Sequence, residues 1–388
     1  MSDARLPLVV PLPLLDFSCN LRGCCCGGWA IPVSRTDLAR IHRLRPTLTD
    51  DDLCVRAQVG GVEPEPGEEL ARFLRQVETP AGRRCLFLTA DHHCQLQREG
   101  GAAALPDVCA LFPVRVFLVG ERLELRYSAA CPAVLAALGP GDAPLVEALL
   151  ARPTRLGHTF RLALVRELDE VRIGPTVLDV PTALQLRELL LHVVGRPGAS
   201  VGRRLAEAAS LLDLVATGEA AEVDLEALSV DESGFARRLA RLADELPAAR
   251  LCQELLAYRP FLDDPSLLAV LDHPEPLRSA LDAWPDHYAA RWLPAAAALD
   301  PVCGRVLWLW CHDLFLTDAA GGRVDGDRLV GLFARVLRVA AALAGVLQRP
   351  VAGPVLTAAL GLSSFIDSHY QPAAAGPAEG AGREPLPF

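Results

Sequence analysis

Four cysteines, Cys19, Cys24, Cys25 and Cys26, fall within eight residues near the start of the chain, and Gly27 and Gly28 follow at once. Three consecutive thiols serve a packed core poorly, because neighbouring side chains cannot all point into one apolar site. Thiolates crowded onto a glycine-flanked loop suit a soft metal ion or an iron–sulfur cluster. Four crowded thiols do not surround one metal by themselves, so the loop reads as half of a site. The other half lies downstream at Cys85, Cys94, Cys109 and Cys131, each at the end of an expected element or in a turn, where side chains can converge. The chemistry on offer is thiolate ligation, of a [4Fe–4S] cluster first and of zinc as the alternative. His92 and His93, just before Cys94, are nitrogen donors by type but read as exposed turn residues. Cys54, Cys252, Cys303 and Cys311 have no motif context and read as core thiols.

Nine of the twelve cysteines lie in the first 131 residues, and the composition changes at about the same place. Residues 1–135 are expected to form a small cysteine-rich metal-binding region, residues 136–371 a helical domain, and residues 372–388 a disordered Ala/Gly/Pro tail. The fold class expected is α+β, mainly α. In the first region Ser34 or Thr36 caps a helix running to about Leu44, and Thr49 caps a second whose first turn carries Asp50, Asp51 and Asp52. A third helix is expected over Glu68–Val77. Cys85–Leu88 and Cys94–Leu96 read as a hairpin around Thr89–His93. Val114–Val119 and Arg122–Tyr127 read as another, joined by Gly120-Glu121 with glycine first, as a type II′ turn demands. Helices follow over 142–152, 181–194, 200–216, 232–244, 247–257, 276–283, 303–316, 325–348 and 354–369.

Composition narrows the function. Apolar residues make up 51% and aromatics 5%, which describes a large aliphatic core. The net charge of −10 argues against nucleic acid, whose phosphates call for a basic face. All 38 basic residues are Arg. With no Lys, the chain has no Schiff-base nucleophile and no Walker-type lysine. The apolar run Leu6–Leu15 is broken by Pro7, Pro11 and Pro13 and has no basic leader, so it is not read as a signal peptide. Leu329–Leu347 contains Arg335 and Arg338 and reads as a buried amphipathic helix rather than a membrane span. The expected setting is cytoplasmic, where thiols serve as metal ligands or core residues more than as disulfides.

At its cysteines the chain resembles the zinc- or iron-chelating cysteine-cluster family with a spaced CxxxCxxCC signature, in the branch named for flagellin lysine N-methylase. The resemblance rests on Phe17-Ser18-Cys19, Cys25-Cys26-Gly27-Gly28-Trp29, Cys85-Leu86-Phe87-Leu88, Cys94-Gln95-Leu96, Cys109 with Phe112-Pro113, and Ser128-Ala129-Ala130-Cys131-Pro132. It covers residues 17–132. One departure is that Cys24 abuts Cys25, where the family spaces a further cysteine ahead of the pair. The resemblance implies an iron–sulfur or zinc centre and an S-adenosylmethionine-dependent protein-lysine N-methyltransferase acting on a lysine-bearing protein. The alternative is a non-catalytic metal-binding module, structural or redox-sensing, that docks a protein partner.

Overall fold

The structure, a computed structural model, describes residues 7–11, 14, 26, 31–57, 71–79, 82–139, 147–150, 165–168, 170–218, 230–284, 303–312 and 325–369. In chain order the elements are β1 (Leu8–Pro11), α1 (Arg35–Leu44), α2 (Asp50–Leu53), β2 (Cys54–Ala57), β3 (Ala71–Leu74), β4 (Gln76–Thr79) and β5 (Gly82–Cys85). Then come α3 (Gln95–Gly100), α4 (Asp107–Leu111), β6 (Val114–Val119), β7 (Arg122–Tyr127), α5 (Pro132–Leu138), β8 (Glu147–Leu150), β9 (Val165–Leu168), β10 (Glu170–Ile173) and β11 (Thr176–Asp179). The helical part comprises α6 (Val180–Val194), α7 (Val201–Thr217), α8 (Glu232–Asp244), α9 (Ala248–Tyr258), α10 (Pro265–Asp272), α11 (Glu275–Asp282), the helical residues 303–312 (α12), α13 (Gly326–Leu347) and α14 (Gly353–His369). The class is α+β and mainly α.

Two compact units emerge. The smaller is built from the described residues of 18–113, and the larger from those of 1–17, 114–157 and 165–375. This division differs from the break expected near residue 135, because β6 and β7 belong to the sheet of the larger unit. The expected tail, 372–388, lies outside the described residues.

In the smaller unit local chemistry sets the helix starts. Ser34 caps α1 and Asp37 returns the bond to the Ser34 backbone N–H (2.8 Å), a reciprocal capping box. Thr49 and Asp52 repeat it at α2. Leu38 and Ile41 turn the apolar face of α1 into a core with Leu53, Leu74, Phe87 and Leu96. The helix expected over Glu68–Val77 is instead β3 and β4 within its described part. There the backbone finds distant partners: Leu74 N–H donates to Ile31 O (2.8 Å), Arg75 N–H to Leu53 O (2.8 Å), and β3 pairs antiparallel with β2. Tertiary pairing overrides a weak local preference.

The larger unit carries a five-stranded sheet ordered β8-β1-β7-β6-β9. The β6–β7 hairpin turns at Gly120, whose φ of +59° suits a residue without Cβ. The early apolar run supplies β1, with Leu8, Val9 and Val10 buried between β7 and β8. β8 falls inside the stretch expected as a helix over 142–152, a short apolar run that periodicity alone does not assign. A separate β10–β11 hairpin leads into α6. Asp179, Ser200 and Asp325 cap α6, α7 and α13 with their side chains. α13 is long and apolar enough to cross a bilayer, yet 83% of its most apolar window is buried against its own fold, α7, α8, α11 and α14 among the neighbours. It is a core helix.

Candidate metal centre

The thiols of the smaller unit are delivered by short, tightly held elements. β5 ends on Cys85, which stands opposite Gln76 of β4. The chain then turns, with Leu88 N–H donating to Cys85 O (3.0 Å). Thr89 closes the following loop, its hydroxyl donating to His93 O (2.7 Å) and accepting from His93 N–H (3.1 Å). His92 takes a left-handed conformation there (φ +62°), and both histidines are exposed. Leu88 bridges Cys94, and Gln95 N–H donates to Phe87 O (2.9 Å), so the loop returns Cys94 beside the strand it left. The turn is as expected. The residues after it are not a strand, because Cys94 is the N-cap of α3.

Cys109 sits in the single turn of α4. Cys26, Cys94 and Cys109 are half-buried and pack against the core that contains Cys85 and Cys54. Four of the eight expected ligands, Cys26, Cys85, Cys94 and Cys109, thus border one apolar cluster. Cys54 is turned to another use, its thiol donating to Asp50 O (3.1 Å). Cys131 is elsewhere: it belongs to the larger unit, buried at the N-cap of α5. Cys19, Cys24 and Cys25 lie outside the described residues. Among the described residues, no three His, Cys, Asp or Glu side chains stand close enough to hold one ion.

The larger unit holds charge clusters that local sequence did not announce. Glu124 of β7 is fully buried and is gripped by Arg187 of α6 through both carboxylate oxygens, with Nη2 3.0 Å from Oε1. Arg122 Nε adds a bond of 2.7 Å. Burial pushes the Glu124 carboxyl up, but the hydrogen bonds and charge of Arg187 outweigh it and hold it below the usual range. An open recess of about 530 Å³ is lined by Asp213, Thr217, Arg238, Asp325 and Asp327. Arg238 spans it, 2.5 Å from Asp213 and 2.6 Å from Asp327, which knits α7, α8 and α13 together. Asp213 and Asp327 are counter-charged and Asp325 caps α13, so the recess reads as a helix junction. Trp308, Trp310 and His312 are buried in α12, as core residues should be; Trp310 Nε1 donates to Ser364 Oγ (3.0 Å). Cys311 is buried without exposure, which pushes its thiol far up and makes it inert.

The chain was compared with protein-family models, curated proteins and solved structures. None matches.

Proposed function

We propose that the smaller unit carries a thiolate-ligated metal centre, a [4Fe–4S] cluster in the first place and zinc in the second. The observation that carries this reading is the convergence of Cys26, Cys85, Cys94 and Cys109 on one apolar cluster. The donors are all soft thiols set against a hydrophobic wall, which limits solvent access and suits an iron–sulfur site. Because no three described donors stand together, a four-thiolate centre takes at least two thiols from Cys19, Cys24 and Cys25. Each of the described four then contributes singly or as one of a pair, and Cys131 is the least central of the eight. A reducing, cytoplasmic setting belongs to the same proposal, since it keeps these thiols available.

The activity proposed with the centre is protein-lysine N-methylation from S-adenosylmethionine, supported by the resemblance of residues 17–132. Its partner is a lysine-bearing protein. A second reading, a non-catalytic structural or redox-sensing module that docks a protein, is favoured by one observation. The buried acids of the larger unit, Glu124 and Glu254, each lie against an Arg in a separate pair, on different elements, rather than side by side as a reacting pair. Calorimetric titration of metal-loaded protein with S-adenosylmethionine separates the two: saturable binding supports the methylase, and its absence leaves the module. Replacing Cys25 or Cys109 by Ala is expected to lower bound metal per chain, and unchanged metal content refutes those ligands.

A further inference from the structure

Among the described residues the smaller unit comes from one stretch of sequence, 18–113, whereas the larger unit is built from chain on both sides of it. β1 precedes that stretch and β6 follows it, yet both lie in one sheet, on either side of β7. The register brings the two crossings together. β1 runs parallel to β7, with Leu8 opposite Leu123 and Val9 opposite Glu124, so it heads toward the Tyr127 end of the sheet. β6 runs antiparallel to β7 and starts with Val114 opposite that same Tyr127. The end of β1 and the start of β6 therefore stand at one end of the sheet, two strand spacings or about 10 Å apart. Tyr127 also ties down the outgoing chain: its hydroxyl donates to Leu14 O (3.3 Å), and both residues are fully buried. The chain leaves and re-enters the larger unit at one tyrosine.

The stretch between supplies its own needs. At about a hundred residues it is long enough to bury a core. That core runs from Ile31 to Leu105 and draws, among the described residues, on none outside the stretch. Its buried charges close on themselves, since Arg40 meets both Asp37 and Asp107. We propose that residues 18–113 are an inserted module that opens and closes as one cooperative unit while the larger unit stays folded. Adjacent crossings are what permits this, because the sheet is not pulled apart when the module unfolds. The unfolded module is then a long loop with its ends held, and the entropy of closing such a loop grows only slowly with its length. The clustering of the thiols plays no part in it.

The test uses the full chain with its thiols kept reduced and reads amide hydrogen exchange peptide by peptide. Ile41→Ala opens a cavity in the smaller core and is expected to speed exchange of the α1 and β3 amides together, by about thirtyfold or more. The α7 and α13 amides are expected to stay within about twofold of their wild-type rates. Glu124→Gln is expected to do the reverse, speeding β7, α6 and α13 while α1 and β3 keep their rates. Ile41→Val, a smaller cavity, carries the same comparison at a several-fold effect if Ile41→Ala does not fold. Exchange that changes only in the unit bearing the substitution supports the module. Faster exchange of α13 in an Ile41 variant, or of α1 in Glu124→Gln, would overturn it, because the two units then unfold together. Faster exchange of α1 without β3 would overturn it as well, since the stretch would not open as one.

Discussion

Replacing Glu124 by Gln removes the carboxylate that Arg187 meets with both of its terminal nitrogens, in a place where both side chains are buried. The carboxamide keeps one acceptor oxygen, so one bond to the guanidinium survives, but the counter-charge does not. Breaking a buried pair from one side costs about 3–5 kcal/mol, because the remaining ion stays desolvated. Arg122, about a third exposed, can turn to water and adds little to that figure. Domains of ordinary size are stable by about 5–15 kcal/mol, so this one atom change consumes a large share. At about 2–4 °C per kcal/mol the melting temperature should fall by roughly 6–20 °C. Urea titrations followed by far-UV circular dichroism measure it. The pH dependence carries a sign: the folded acid constant of Glu124 lies below its unfolded value of about 4.3. Its contribution is therefore complete above the unfolded value and is lost as the pH falls through the folded one. Glu124→Gln lacks that loss, so the gap between the two proteins should narrow in acid. The double variant Glu124→Leu, Arg187→Met should recover most of the stability, since an apolar pair of similar volume removes both desolvation penalties. A single Glu124→Gln within about 1 kcal/mol of wild type at neutral pH would refute the reasoning.

Three further outcomes are expected. Arg338 of α13, buried, donates to Ala243 O (2.7 Å), Leu246 O (2.8 Å) and Leu281 O (2.9 Å), closing the C-terminal ends of α8 and α11. Arg338→Met leaves three carbonyl oxygens without that donor and should cost about 3 kcal/mol or more by the same urea titration, and a loss under about 1 kcal/mol would contradict the capping role. Glu254 is the opposite of Glu124: burial pushes its carboxyl up despite Arg250, so the ionised form weighs on the fold once the pH exceeds the carboxylate range. Glu254→Gln should therefore gain stability relative to wild type as the pH is raised from about 4 to 8, and a growing loss would show the Arg250 pair to dominate. Gly361 lies where an added Cβ would stand 1.8 Å from the Tyr258 hydroxyl, which donates to Ala130 O (2.9 Å). Gly361→Ala should cost about 1–3 kcal/mol through displacement of that ring, and a smaller cost in a Tyr258→Leu background would confirm the coupling.

What could be read in advance divides by the range of the interaction. Ser34 with Asp37 and Thr49 with Asp52 announce their helices because a capping box is written within four residues. The β6–β7 hairpin was legible through Gly120 and the alternation of Leu123, Leu125 and Tyr127 with charged neighbours. The long helices of the larger unit follow from apolar periodicity. Where the partner is distant, local pattern misleads. Residues 71–79 take strand form because Ile31, Leu53 and β2 offer backbone partners that no neighbour could reveal. The β10–β11 hairpin went unseen behind a charged strand and a turn at Gly174. The same holds at the site. Cys26, Cys94 and Cys109 pack against the core that holds Cys85, a placement set by distant elements, and Arg40 reaching Asp107 across 67 residues carries no local mark either. Cys131 looked equivalent to Cys109 in the sequence, yet β6 and β7 carry it into the larger unit.

The central claim is that thiols of the smaller unit hold a metal centre, and its most direct test is the elemental content of the full chain purified without oxygen. Iron together with acid-labile sulfide, near four of each per chain for a [4Fe–4S] cluster, is the result expected, with brown protein to match. Colourless protein with stoichiometric zinc would move the centre to the zinc alternative. Protein with neither iron nor zinc bound, in a preparation whose thiols are reduced, would contradict the account.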